Sequence, residues 1–173
     1  MFRTIPRYEE ADLGLPYPII LIDSAEEEID PTTGDRIGVS VPDMEELVAT
    51  VAVARALIPL RLDGQEVRFM RQAIGMTASA FAEALDLDKA TFSRWENNKQ
   101  TVGGWADKQV RFFVLTTLRD KVPELSAQGK DVVEMKVVDA PPNHWPIIEL
   151  RRVPAHDGAN DHNDVWDTLP LAA

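Results

Sequence analysis

Between Asp43 and Arg119 apolar residues fall at intervals of three and four, and outside that window they do not. Asp43 and Glu46 make a capping-box pattern, after which Leu47, Val51, Ala54 and Ile58 mark a helix that Pro59 stops. Val48, Ala52 and Leu57 widen its apolar stripe, which suits either a core helix or a dimer seam. After a connector from Leu60 to Gly64, Asp63 and Glu66 repeat the capping box and open a helix with Val67, Met70, Arg71 and Ile74, ended by Gly75. Thr77 caps a short helix that turns Phe81, Ala82 and Leu85 inward. Asp88 opens another, with Phe92 and Trp95 inward at i, i+3. Lys99 to Gly104 reads as a loop, and a last helix from Trp105 to Arg119 turns Val110, Phe113 and Thr117 inward, flanked by Phe112 and Leu118.

The flanks read differently. Residues 1–16 are polar, contain Pro6, Gly14 and Pro16, and suggest a mobile leader. The run from Tyr17 to Asp23 reads as a strand, and Glu26–Asp30, a Pro31 to Asp35 turn and Arg36–Val41 read as a hairpin. Asp131 to Val138 alternates as a further strand. Beyond Asp139, Pro141, Pro142, Pro146, Pro154 and Pro170 with Gly158 predict an irregular tail holding two apolar islands, His144–Leu150 and Val165–Leu171. The expected units are therefore 1–42 (leader and small β-unit), 43–60 (helix), 61–122 (helical domain) and 123–173 (possible strand and acidic tail).

Charge changes this picture by where it lies. The chain of 173 residues carries a net −11, of which residues 1–60 hold −8 and residues 121–173 hold −4, whereas residues 61–120 are at +1. The helical segment is thus the part least repelled by phosphate, and any DNA binding rests on a few placed contacts. Cysteine is absent, which excludes disulfides and thiolate metal sites. No apolar segment reaches the length of a membrane span, and the expectation is a soluble, cytoplasmic protein.

Lys89, Thr91, Ser93, Arg94 and Asn97 point away from the face bearing Phe92 and Trp95, which suits a helix that packs inward while offering donors to a major groove. The stretch Gly75-Met76-Thr77, Leu85 to Asp88 and Phe92-Ser93-Arg94-Trp95-Glu96-Asn97 resembles the helix-turn-helix of XRE/Cro repressors. The helices flanking it resemble those of antitoxins of the MqsA and HigA type. Four positions depart from the pattern: Ala78 replaces a Gln, Asp86 the turn glycine, Asp88 a Ser or Thr cap, and Asn98 the closing Gly. Ser24, Ala25 and Thr33 stand where such antitoxins often carry zinc cysteines.

The resemblance implies a mainly α fold: a lambda-repressor-like DNA-binding domain of four to five helices, with an N-terminal β-hairpin unit and an irregular C-terminal tail. It implies base contacts from Lys89, Ala90 and Arg94, with Thr91 and Ser93 alongside. Asn97, Lys99 and Thr101 are expected at the phosphate backbone, and Thr77 belongs to the same DNA-facing set. Arg94 has a plainer alternative, a surface ion pair with Glu83 or Asp86.

The remaining chemistry is sparse. Glu26, Glu27 and Glu28 alternate faces in a strand and cannot converge on a metal. His144, His156 and His162 match no closed ligand set, no nucleophile sits beside a base, and no phosphate loop occurs. The expectation is no enzyme, no cofactor and no metal. The function expected is a homodimeric DNA-binding regulator on an inverted repeat, an autorepressor or the antitoxin of a toxin pair. The alternative is an interaction module using the helix-turn-helix as a scaffold. Trp145, Ile147, Ile148, Trp166 and Leu169 are the expected anchors for a second protomer or a cognate toxin.

Overall fold

The strand β2 (Ile19–Ile29), eleven residues long, carries three neighbours. In the computed structural model, which describes residues 1–125, 128–155 and 164–169, β1 (Phe2–Glu10) runs antiparallel along one edge of β2. Two shorter strands share the other edge: β3 (Arg36–Ser40), antiparallel to Glu26–Ile29, and β4 (Glu149–Pro154), parallel to Ile20 and Leu21. β5 (Asp164–Thr168) closes the sheet, antiparallel to β4. The register of β1 on β2 slips between Ile5 and Arg7, where Asp23 takes φ 48°. Pro6, which cannot donate to the ladder, sits in this bulge.

Six helices accompany the sheet among the described residues: α1 (Met44–Leu57), α2 (Gly64–Ala73), α3 (Ala78–Ala84), α4 (Lys89–Glu96), α5 (Gly104–Leu118) and α6 (Gly129–Glu134). α1 is apolar on nearly every side, as a helix enclosed by its own chain must be. It packs on α5, α2 and β5. Ala52 is fully buried there, and Val48 and Leu57 are half-buried. The chain's own elements thus account for the width of the α1 stripe. One core runs from Ile19, Leu21, Leu150 and Trp166 of the sheet through α1 to Phe81, Phe92 and Val114.

This mixed architecture overturns the mainly α, lambda-repressor-like expectation. Helices form at 64–73, 78–84, 89–96 and 104–118, but a five-stranded mixed sheet stands beside them. The supposed leader is β1. It is an edge strand with most side chains in solvent, so no apolar alternation marks it. The supposed irregular tail supplies β4 and β5, whose partners lie at the far end of the chain or across the polar segment 155–163. The strand expected over 131–138 is instead α6, opened by a reciprocal cap between Gln128 and Asp131. Only its end is extended, where Val138 bridges Leu60 in parallel. His156, His162, Gly158, Pro170 and Leu171 lie outside the described residues.

The link between α1 and α2 is bonded throughout. Pro59 stops α1 and leaves its last carbonyls without helical partners. Arg55 and Arg111 supply them: Arg55 donates to the carbonyls of Ile58, Leu60 and Arg61, and Arg111 to those of Ala56, Ile58 and Leu60. Each guanidinium has its own carboxylate, Arg55 with Glu66 at 2.5 Å and Arg111 with Asp107 at 2.5 Å, and all four side chains are buried. The Tyr17 hydroxyl donates to the same Glu66 at 2.6 Å, joining the start of β2 to α2. Burial, and then the adjacent Glu66 carboxylate, holds that phenol far above its ordinary pKa.

Candidate nucleic-acid interface

α3 and α4 are set by caps and by three inward rings. The Thr77 hydroxyl accepts the amide of Ala80, and the Asp88 carboxylate accepts that of Thr91 at 2.9 Å. Between the helices the chain turns at Asp86, with φ 54°, a conformation that the short side chain of Asp tolerates better than most. Phe81 contacts Phe92 at 5.3 Å between ring centroids, and Phe92 meets Trp95 edge-on at 6.2 Å. These contacts fix how far α4 is rotated about its axis.

Rotation in turn decides what faces outward. Lys89, Ala90, Ser93, Arg94, Asn97, Lys99 and Thr77 are exposed, and Thr91 is half-buried. The expected base-facing residues thus form one surface, with Lys99 and Thr101 in the loop that follows α4. Arg94 does not pair with Glu83 or Asp86. Its Nε donates to Gln100 Oε1 at 3.0 Å, and its second terminal nitrogen donates to the Thr91 hydroxyl at 2.7 Å. That hydroxyl donates onward to Asp88. The bond from Thr91 is the first reason that the Asp88 carboxyl sits below its ordinary value, and its backbone bond and the Arg94 charge add to it. The Asp that departs from the usual cap therefore anchors the chain Asp88, Thr91, Arg94.

The far end of α4 is clamped. Glu96, 7% exposed, accepts from Arg71 Nε at 2.7 Å and lies near Arg68, while Arg71 also donates to the Met76 carbonyl. Arg68 reaches the Asn97 side chain at 3.2 Å. Asn98 takes φ 54° and accepts the Gly64 amide at 2.7 Å, closing the N-terminus of α2. Gly64 is required by space: a Cβ there would lie 1.9 Å from the Trp95 carbonyl oxygen. Sequence reasoning missed Gln100, Arg71 and the structural use of Glu96 and Asn98. The signal available was the Asp63-Gly64 opening of α2, where a glycine sits at a position that helix propensity disfavours.

The tail anchors separate into two groups. Ile148 and Trp166 are buried in the chain's own core and Leu169 is half-buried, its amide bonded to the Glu149 carbonyl. Trp145 and Ile147 stay outside, 40% and 65% exposed. Among the described residues no group of three or more His, Cys, Asp or Glu converges as a metal site. No helix among them is long and apolar enough to cross a membrane.

No family model and no solved structure matches the chain. Over 127 residues it is 26% identical to a protein of Sulfurisphaera tokodaii named "Putative HTH-type transcriptional regulatory protein". The match covers 70% of this chain and 43% of that protein, so the chain spans less than half the length of the curated relative it matches. The likeness to this protein thus runs over most of the chain's own length.

Proposed function

We propose that this chain is a DNA-binding transcription regulator that reads sequence with α4. One observation carries the reading: Phe92 and Trp95 lock α4 into the core while Lys89, Ala90, Ser93 and Arg94 stand exposed on its opposite face. The name of the Sulfurisphaera tokodaii relative supports it. Arg94 is the base reader, because a guanidinium fork matches guanine O6 and N7, which is worth about 1–3 kcal/mol of discrimination. Lys89 reaches guanine or a phosphate, and Asn97, Lys99 and Thr101 lie against the backbone.

The finer reading is an autorepressor of the XRE/Cro kind, acting inside the cell as a homodimer on an inverted repeat, and binding rather than transforming its target. The resemblance to MqsA and HigA antitoxins adds a cognate toxin as partner. Of the tail anchors, Trp145 and Ile147 are the two exposed enough to meet it.

A second reading, an interaction module on a helix-turn-helix scaffold, draws on the −8 net charge of residues 1–60, which suits a basic protein partner. A salt-titrated shift assay with the DNA upstream of the protein's own gene separates the two. The regulator binds at low salt and loses about tenfold or more with Arg94→Ala. Binding that ignores both Arg94→Ala and Lys89→Ala, or no binding at low salt, overturns the reading. Half-sites about 34 Å apart are expected, occupied by two protomers in analytical ultracentrifugation.

A further inference from the structure

A cavity of about 280 Å³ opens beside the loop that follows α4. Three segments that are distant in sequence enclose it: the α1–α2 link at Arg61 to Gly64, the loop after α4 from Asn98 to Val102, and the stretch from Asp139 to Trp145. Its size approaches the lower end of small-molecule sites, and polar or charged side chains make up more than half of its lining, beside apolar surface from Leu62, Val102 and Trp145.

The wall restricts the ligand's charge. Its one arginine faces two aspartates, Asp63 and Asp139, for a net formal charge of −1 with His144 neutral. The arginine is already committed, since Arg61 pairs with Asp139 and donates to the Val102 carbonyl at 3.1 Å. No cation is left over for a phosphate or carboxylate. Trp145 supplies an aromatic face: it lines the cavity, stays 40% exposed, and has Tyr17 as a ring neighbour at 5.5 Å. Polar edges come from Gln100, Thr101 and Asn143. A flat, uncharged heterocycle with hydrogen-bonding edges satisfies all of this, and a bare anion satisfies none of it.

Gln100 joins the wall to the base-reading arginine. Gln100 lines the cavity, and its Oε1 holds Arg94 Nε at 3.0 Å. A ligand that draws the Gln100 amide inward releases one of the two tethers of the base-reading arginine.

We propose that this cavity is an effector site for an unphosphorylated nucleoside, stacked on Trp145 and coupled to Arg94 through Gln100. The coupling rests on the DNA-binding reading; the binding does not.

The test is isothermal titration of the full chain with adenosine, cytidine, guanosine and uridine, and with adenosine monophosphate as the anionic control. The expected result is saturable one-to-one binding of at least one nucleoside, weaker or absent binding of the monophosphate, and a loss of about tenfold or more in Trp145→Ala. In wild-type protein the indole N–H resonance of Trp145 moves on titration, a readout that does not depend on the variant's folding. No heat with any nucleoside at millimolar concentration, tighter binding of the monophosphate, or shifts confined to Trp95, Trp105 or Trp166 overturns the proposal. The titration contains no DNA, so its failure leaves the regulator reading standing, and failure of the shift assay leaves the site standing.

Discussion

Arginine serves opposite ends in two regions of this molecule. Around the link between α1 and α2, Arg55 and Arg111 are at most 1% exposed, each bonded to a carboxylate and to three backbone carbonyls. On α4, Arg94 is exposed and held by two neutral oxygens, those of Thr91 and Gln100. A guanidinium withdrawn from water must satisfy its donors completely, and in doing so it fixes whatever it touches. One left at the surface and tethered only to neutral acceptors is preoriented yet easily exchanged onto a stronger acceptor. The first arrangement builds a hinge-free joint, and the second builds a reader.

The sharpest break in that comparison comes from Glu66→Ala. It leaves Arg55 buried without its carboxylate and removes the acceptor of Tyr17 and the back-bond to the Asp63 amide. A loss of about 3–5 kcal/mol is expected in urea unfolding, against less than about 0.5 kcal/mol for Arg94→Ala. Replacing the pair with apolar residues, Arg55→Met with Glu66→Leu, should not restore stability here, because the Arg61 carbonyl loses its side-chain donor and the buried Tyr17 hydroxyl its acceptor. Equal unfolding midpoints for Glu66→Ala and Arg94→Ala would erase the distinction.

Next in size is Gly64→Ala, at the seam between the two regions. The added methyl meets backbone, the Trp95 carbonyl, rather than a side chain that can turn away. A loss of about 1–3 kcal/mol is expected from forced displacement of α2 against α4. A thermal midpoint unchanged from wild type would contradict the close approach of α2 to α4 at Gly64.

Arg94→Lys tests the reader alone. It keeps the charge and gives up the fork, so salt-dependent affinity for unrelated DNA should hold while preference for the operator falls by about 1–3 kcal/mol. Competition binding with specific and random duplexes reads both, and a lysine variant with full preference would remove Arg94 from base readout.

The two regions also differed in how far the sequence disclosed them. The elements of 63–119 are encoded by neighbours three and four residues apart, and their caps, Asp63, Thr77 and Asp88, announce themselves locally. The sheet is encoded by pairings such as Ile20 with Glu149, which no local period records. β1 hid behind Pro6 and solvated side chains, and β5 behind a single buried residue, Trp166. At the site, outward residues could be read from helical geometry, whereas the partners of Arg94 could not. Gln100 lies in a loop, and only the turn at Asn98 brings it back over α4. The buried arginines left a trace: Asp107 and Arg111 stand at i, i+4 on the face that carries Val110 and Val114, an inward address for charge.

The smallest expected effect contrasts two carboxylates by the sign of their pH dependence. Asp88, bonded by the Thr91 hydroxyl and amide, titrates below its ordinary 3.8. Its contribution to stability is therefore present above pH 3.8 and lost as pH falls through the lowered value in the folded chain. Glu46, where α1 meets β5, is raised above 4.5, first by burial and then by Asp43, against the opposing bond from the Trp166 amide. Its folded form holds a proton more tightly than its unfolded form. The contribution of that proton is present below pH 4.5 and lost as pH rises through the raised value. Urea midpoints of wild type, Asp88→Asn and Glu46→Gln across the acid range should show this directly. The advantage of wild type over Asp88→Asn grows with rising pH, and its advantage over Glu46→Gln shrinks. Two slopes of the same sign would mean that the hydrogen bonds around Asp88 and the burial of Glu46 do not set their titration in the folded chain.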